Sequence, residues 1–148
     1  MRLEFMRVRP GADDDLPVPA RQTAGAAGLD LCAGVGAPLT IEPGAIILVP
    51  TGWAVAIPDG FEGQVRPRSG LALKQGLTLV NTPGTIDADY RGEIQLPMIN
   101  LGGQKVTVNR GDRVAQLIIN RVERPDIHIV TELSPTARGG GGFGSTSV

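Results

Sequence analysis

Two guanidinium groups, a hydroxyl and a glycine fall within the five residues Arg66-Pro67-Arg68-Ser69-Gly70, at the head of a short helical pattern from Ser69 to Gln75. Phosphate oxygens suit such a combination, because arginine forks and the free N–H groups of a helix start are all donors. The same residues equally suit an exposed turn with Ser69 as helix cap. Further on, Asn81-Thr82-Pro83-Gly84-Thr85-Ile86-Asp87-Ala88-Asp89-Tyr90-Arg91-Gly92 reads as a long hairpin loop carrying two carboxylates and the only tyrosine. It could floor a pocket, although aspartate in a Pro/Gly-rich loop more often builds turns by bonding nearby backbone N–H groups.

Asp30 sits between apolar neighbours in Ala27-Gly28-Leu29-Asp30-Leu31, where a buried carboxylate needs a cation. An arginine such as Arg68 would supply it, and a purely structural ion pair fits as well as a catalytic role. Asp112, Arg113 and Gln116 surround a turn, where Gln116 could donate to a phosphate or hold a water, or all three could be ordinary turn and strand residues. The segment after Pro135, Arg138-Gly139-Gly140-Gly141-Gly142-Phe143-Gly144-Ser145-Thr146, is by composition a flexible tail. It lacks the lysine of a phosphate-binding P-loop and has no following helix, and Gly34-Val35-Gly36 lacks the third glycine of a dinucleotide fingerprint. His128, the only histidine, has no partners for a metal site or a catalytic triad.

These groups need elements to hold them, and the punctuation points to strands. Pro43-Gly44, Ala45 to Val49, Trp53 to Ile57 and Pro58-Asp59-Gly60 alternate turn and apolar run, the rhythm of strands and hairpins. It returns at Leu77 to Val80, Glu93 to Asn100, Lys105 to Val108, Val114 to Val122 and Ile127 to Leu133. Eight or more strands are expected, at spacings close to those of sandwiches and jelly rolls. Asn109-Arg110-Gly111-Asp112 reads as a hairpin turn, and Asp13-Asp14-Asp15 as a solvated acidic loop.

With 148 residues, 41% of them hydrophobic, the chain suits one domain with a continuous core. One tryptophan, one tyrosine and three phenylalanines make that core aliphatic, and 21 glycines with 12 prolines leave little room for long helices. A net charge of −1 disfavours a polymeric nucleic-acid substrate. The lone Cys32 cannot form an intrachain disulfide, and neither a leader pattern nor a long apolar run opens the chain, so a soluble protein in a reducing compartment, the cytoplasm, is expected.

Taken in order, five segments resemble the motifs of the trimeric dUTP diphosphatase (dUTPase) family: Ala27 to Ala33, Arg66 to Ala72, Asn81 with Gly84 to Ile94, Arg110 to Ile118, and Arg138 to Ser147. The resemblance spans roughly Ala24 to Thr146, with an extension before Met6 and a Ser147-Val148 ending as departures. It implies an all-β, jelly-roll-like distorted barrel with one short helix, forming a homotrimer whose exchanged C-terminal arm closes a neighbour's site. Residues 1–148 would be a single domain, of which 136–148 is the flexible arm.

The implied reaction is hydrolysis of dUTP to dUMP and pyrophosphate, with Mg²⁺ on the triphosphate and water attacking the α-phosphorus. Such an enzyme keeps dUTP low and supplies dUMP for thymidylate synthesis. By the same resemblance Asp87 activates the water, with Gln116 beside it or the α-phosphate. Arg68, Ser69 and Gly70 bind phosphates, Asn81 reads uracil, and Tyr90 lies under the deoxyribose and excludes a 2′-hydroxyl. Phe143 would stack on the base while Arg138, Gly144, Ser145 and Thr146 close on the phosphates, and Asp30 and Asp112 would support the site. Magnesium would be held mostly by phosphate oxygens and water, without a protein ligand. Two further readings share the fold: a dCTP deaminase, against which the Gly-Phe-Gly-Ser-Thr tail speaks, and a non-catalytic binding module.

Overall fold

A computed structural model describes residues 1–142. Among them are ten strands and one helix: β1 Glu4–Arg7, β2 Leu29–Cys32, β3 Leu39–Ile41, β4 Ile46–Ala56, β5 Phe61–Pro67, α1 Ser69–Gln75, β6 Leu77–Leu79, β7 Gly84–Ile86, β8 Glu93–Asn100, β9 Val106–Val108 and β10 Arg113–Arg121. One four-stranded sheet runs β1-β4-β8-β6, a second β2-β10-β5-β7, and β3 pairs with β9. Every pairing is antiparallel. Alternate residues of these strands converge on one aliphatic core that includes Leu31, Ile41, Val49, Leu96, Met98, Val108 and Leu117. The fold is all-β and jelly-roll-like, with the expected single short helix.

Several local readings of the sequence give way to tertiary structure. The two runs around Thr51 form one strand of 11 residues rather than two. Gly52 adopts φ 76°, and the register with β8 shifts between Pro50 and Ala54, the signature of a bulge. A side chain there would strike Leu16 and the Asp13 carboxylate, so glycine is required by close packing as well as by backbone angle. Pro58-Asp59-Gly60 carries the chain from one sheet to the other instead of closing a hairpin. Asn109 to Asp112 does the same, since β9 pairs with β3 while β10 pairs with β2 and β5.

The helix starts at Ser69, with Arg68 in the cap position at φ −88°, ψ 125° and no side-chain cap; Ser69 is therefore a first-turn residue, not the cap. Gly76, at φ 68°, closes the helix as expected. Ile127 to Leu133 forms no strand and pairs with none of the described strands; Ile127 and Ile129 are over 90% exposed. Asp13 is not solvated: it is 2% exposed, between Arg9 and Arg110.

Candidate active site

The loop between β6 and β8 holds the first group of polar residues. Its flanks pair with each other, Leu79 opposite Met98, while β7 within the loop pairs with β5 of the opposite sheet, Val65 opposite Gly84. Pulled toward both sheets, the loop cannot collapse onto its hairpin, and a cavity of about 180 Å³ remains. Val65, Leu79, Ile86 and Ile94 give it an apolar floor, and Asn81, Asp87, Tyr90, Glu93 and Gln95 line it with polar groups.

Short contacts fix this lining. The Tyr90 hydroxyl donates to the Glu93 carbonyl at 3.0 Å, and the Tyr90 N–H donates to the Asp87 carbonyl at 3.1 Å. Arg91 donates to the carbonyls of Ala88 and Tyr90 at 2.6 and 2.8 Å, tightening the same turn. The Tyr90 ring lies where a side chain on residue 92 would stand, so Gly92 is what lets it fold back. A Cβ on Gly84 would come within 3.0 Å of the Asn81 amide nitrogen, which puts that amide close against the backbone of β7. Asp87 is exposed at the cavity.

The second group gathers on β2 and β10. Asp30, 5% exposed, faces Gln116 across the strand pair; its Oδ1 accepts from Gln116 Nε2 at 3.1 Å and its Oδ2 from Arg113 Nη1 at 3.1 Å. The cation that Asp30 requires is thus Arg113 rather than Arg68. The sheet order explains this: β10 lies between β2 and β5, so Arg68 at the end of β5 is a full strand away. Arg68 instead donates to the Arg113 carbonyl at 2.8 Å. Gln116 keeps one amide hydrogen and its carbonyl oxygen for other partners. A Cβ on Gly28 would lie 3.2 Å from Gln116 Cβ, so the neighbouring glycine gives Gln116 its room. Asp112 Oδ2 accepts from the Asn109 N–H at 2.7 Å and braces the turn into β10. Burial, reinforced by the Asp30 carboxylate, pushes the Cys32 thiol up and removes it as a nucleophile near neutrality.

Within one chain these groups remain apart. Asn81, Asp87 and Tyr90 share the cavity, whereas Arg68 and Asp112 line a different groove together with Arg113, and Ser69, Gly70, Asp30 and Gln116 are not in the cavity wall. Arg138 turns back to the Gly141 carbonyl at 2.7 Å, and Phe143, Gly144, Ser145 and Thr146 lie outside the described residues. Sequence reasoning missed Arg113 as the partner of Asp30, and it missed Glu93 and Gln95 in the cavity. Their alternation at the head of β8 was the available signal. Among the described residues no three His, Cys, Asp or Glu side chains cluster to cage a metal ion, and no helix is long and apolar enough to cross a membrane.

The dUTPase family model matches residues 14–147. The chain is 56% identical over 147 residues to a deoxyuridine 5'-triphosphate nucleotidohydrolase of Desulfotalea psychrophila, across 99% of this chain and 98% of that protein. It is 57% identical over 150 residues to the protein of the same name from Caulobacter vibrioides, across 100% and 96%. Among solved structures it is similar to the dUTPase of Staphylococcus bacteriophage 80alpha with dUPNHPP, at a TM-score of 0.88 and 25% identity over 99% of each chain.

Proposed function

Since this chain belongs to the dUTPase family and is a dUTP diphosphatase, we propose how its own residues divide the hydrolysis of dUTP to dUMP and pyrophosphate. The observation that carries the reading is the meeting of Asn81, Asp87 and Tyr90 around one cavity. Its volume of about 180 Å³ falls below the roughly 300–1,000 Å³ of ordinary small-molecule sites. That suits the nucleoside part, with the triphosphate left outside.

Asn81 reads the uracil edge, and the Tyr90 ring under the deoxyribose leaves no space for a 2′-hydroxyl. Asp87, exposed at the cavity, accepts proton density from the water that attacks the α-phosphorus and orients that water for attack. Gln116, oriented by Asp30, faces the α-phosphate or the same water. Arg68, Ser69 and Gly70 receive phosphate oxygens, with Asp112 bracing the turn beside them. The donor set fits magnesium only as an outer partner: no acidic trio gathers among the described residues, and Asp30 is already engaged by Arg113 and Gln116. Held by phosphate oxygens and water, the ion supplies neutralisation of phosphate charge.

The separation of Arg68 from the cavity of its own chain supports a homotrimer in which each site draws on more than one copy. The outer face of β4, where Ile46 and Leu48 are more than half exposed, supports the same reading, as do the unpaired apolar residues Ile127, Ile129 and Leu133. Residues 1–148 form one domain, and residues 136–148 are the arm that closes over a neighbouring copy's site, bringing Arg138, Phe143, Gly144, Ser145 and Thr146 to the nucleotide. The enzyme works in the cytoplasm, keeping dUTP low and supplying dUMP for thymidylate synthesis. Pyrophosphate release from dUTP, UTP, dCTP and dTTP, each with and without magnesium, tests the reading. Equal rates with UTP, or full activity after magnesium is chelated, overturn the corresponding part.

A further inference from the structure

Ahead of Asp14, where the family match begins, the chain contributes a group that reaches the cavity indirectly. Arg9, just after β1, grips the Glu93 carboxylate with both ends of its fork, Nη1 to Oε2 at 3.1 Å and Nη2 to Oε1 at 3.0 Å. The same Oε1 accepts the Gly52 N–H at the bulge, at 2.7 Å. Burial works against the charge of Glu93, yet the bonds from Arg9 and Gly52 hold its carboxyl below the ordinary range. Glu93 therefore remains an anion with both oxygens engaged.

On its other side Arg9 Nε stands 2.9 Å from Asp13 Oδ2, an oxygen with no aligned hydrogen bond of its own. Asp13 Oδ1 meets Arg110 Nη2 at 3.1 Å, and Arg110 takes both oxygens of Asp15 at 2.7 and 2.8 Å. An unbroken line of charged contacts thus runs from the cavity wall, through the N-terminal segment, to the turn that begins β10. Without Arg9, Asp13 would keep Arg110 as a counter-ion, but Glu93 would keep no cation, only the bulge N–H and the Gln95 amide at 3.5 Å.

Glu93 matters to the cavity through its backbone. It is the first residue of β8, it lines the cavity, and its carbonyl receives the Tyr90 hydroxyl. We infer that Arg9 is a positioning residue for sugar recognition, acting through Glu93 to seat the Tyr90 ring. The inference rests on the cavity being the nucleoside pocket.

The full-length enzyme with Arg9→Ala, assayed with dUTP and UTP, should show KM for dUTP raised about fivefold and preference over UTP lowered about tenfold, with kcat within about twofold of wild type. Arg9→Lys should recover only part of the preference, because an ammonium cannot grip both carboxylate oxygens as a fork does. Should Arg9→Ala fail to fold, Arg9→Lys carries the test, since it keeps a positive charge beside Asp13. Unchanged preference in a folded Arg9→Lys enzyme would then overturn the inference.

A cycle with Tyr90→Phe separates positioning from mere support of the fold. If Arg9 acts through the tyrosine hydroxyl, adding Arg9→Ala to Tyr90→Phe changes the preference little further, whereas fully additive losses overturn the inference. Tyr90→Ala distinguishes the two levels of the argument. If it leaves KM and preference untouched, the reading of the cavity falls; if it alters them while Arg9→Ala does not, only the role of Arg9 falls.

Discussion

Asp30 and Asp87 carry the same functional group in opposite circumstances. Asp30 is 5% exposed in mid-strand, its two oxygens taken by Arg113 and Gln116. Asp87 stands exposed on a loop held by β7, beside an apolar-floored cavity. A carboxylate whose lone pairs are engaged by a cation and an amide gives direction to its neighbours. One that faces solvent beside a pocket has lone pairs to offer a substrate or a water. On the proposed division of roles, burial marks the scaffold and exposure on a braced loop marks the chemistry.

Substitutions can sharpen or break that contrast. The largest effect is expected from Asp87→Asn, which should cut kcat about 10³-fold while calorimetry still detects dUTP binding and the melting temperature stays near wild type. Wild-type turnover would remove Asp87 from the chemistry. Asp30→Ala should instead act on stability, lowering it by about 2 kcal/mol in urea unfolding because Arg113 and Gln116 lose their shared acceptor. That figure sits below the cost for a fully buried pair because the Arg113 side chain is 44% exposed and can hydrate. An unchanged unfolding midpoint would mean that the buried pair is not structural.

Gly92→Ala should disturb the exposed region alone, raising KM for dUTP about tenfold as the added methyl displaces the Tyr90 ring, with little change in melting temperature. The smallest effect concerns acid. Glu93 is held below its ordinary range when folded, so its contribution is complete above about pH 4.3 and is lost as pH falls through the folded value. Melting temperatures measured between about pH 6 and pH 3 should therefore fall, and less steeply in Arg9→Ala, where the depression is relieved. Parallel slopes would show that Arg9 does not set the Glu93 titration.

The strands were legible because their signal is local: β-branched and aliphatic runs with turn residues between them mark β6, β8, β9 and β10 to within a residue or two. The loop from Asn81 to Gly92 was legible as a pocket former for the same reason. The partners of Asp30 and Asp13 were not. Arg113 is 83 positions from Asp30, and Arg110 is 97 from Asp13, so only the sheet order reveals which arginine arrives. Three consecutive aspartates look solvated until Arg9 and Arg110 close over the first. The break between Ala45 to Val49 and Trp53 to Ile57 reads as the gap between two strands, although Gly52 within it admits Leu16 and Asp13 against a single continuous one. Ile127 to Leu133 has the alternation of a strand, but alternation specifies a face and not a partner.

The short strand β7 has a consequence for amide hydrogen exchange. Its neighbours in sequence belong to the β4–β8 sheet while its backbone is bonded to β5 in the other. Those β7 amides that bond to β5, though in a connecting segment, should then exchange with deuterium more slowly than the rest of the loop, because the segment is tethered to both sheets at once. The floor of the pocket would thus open less often than the loop around it.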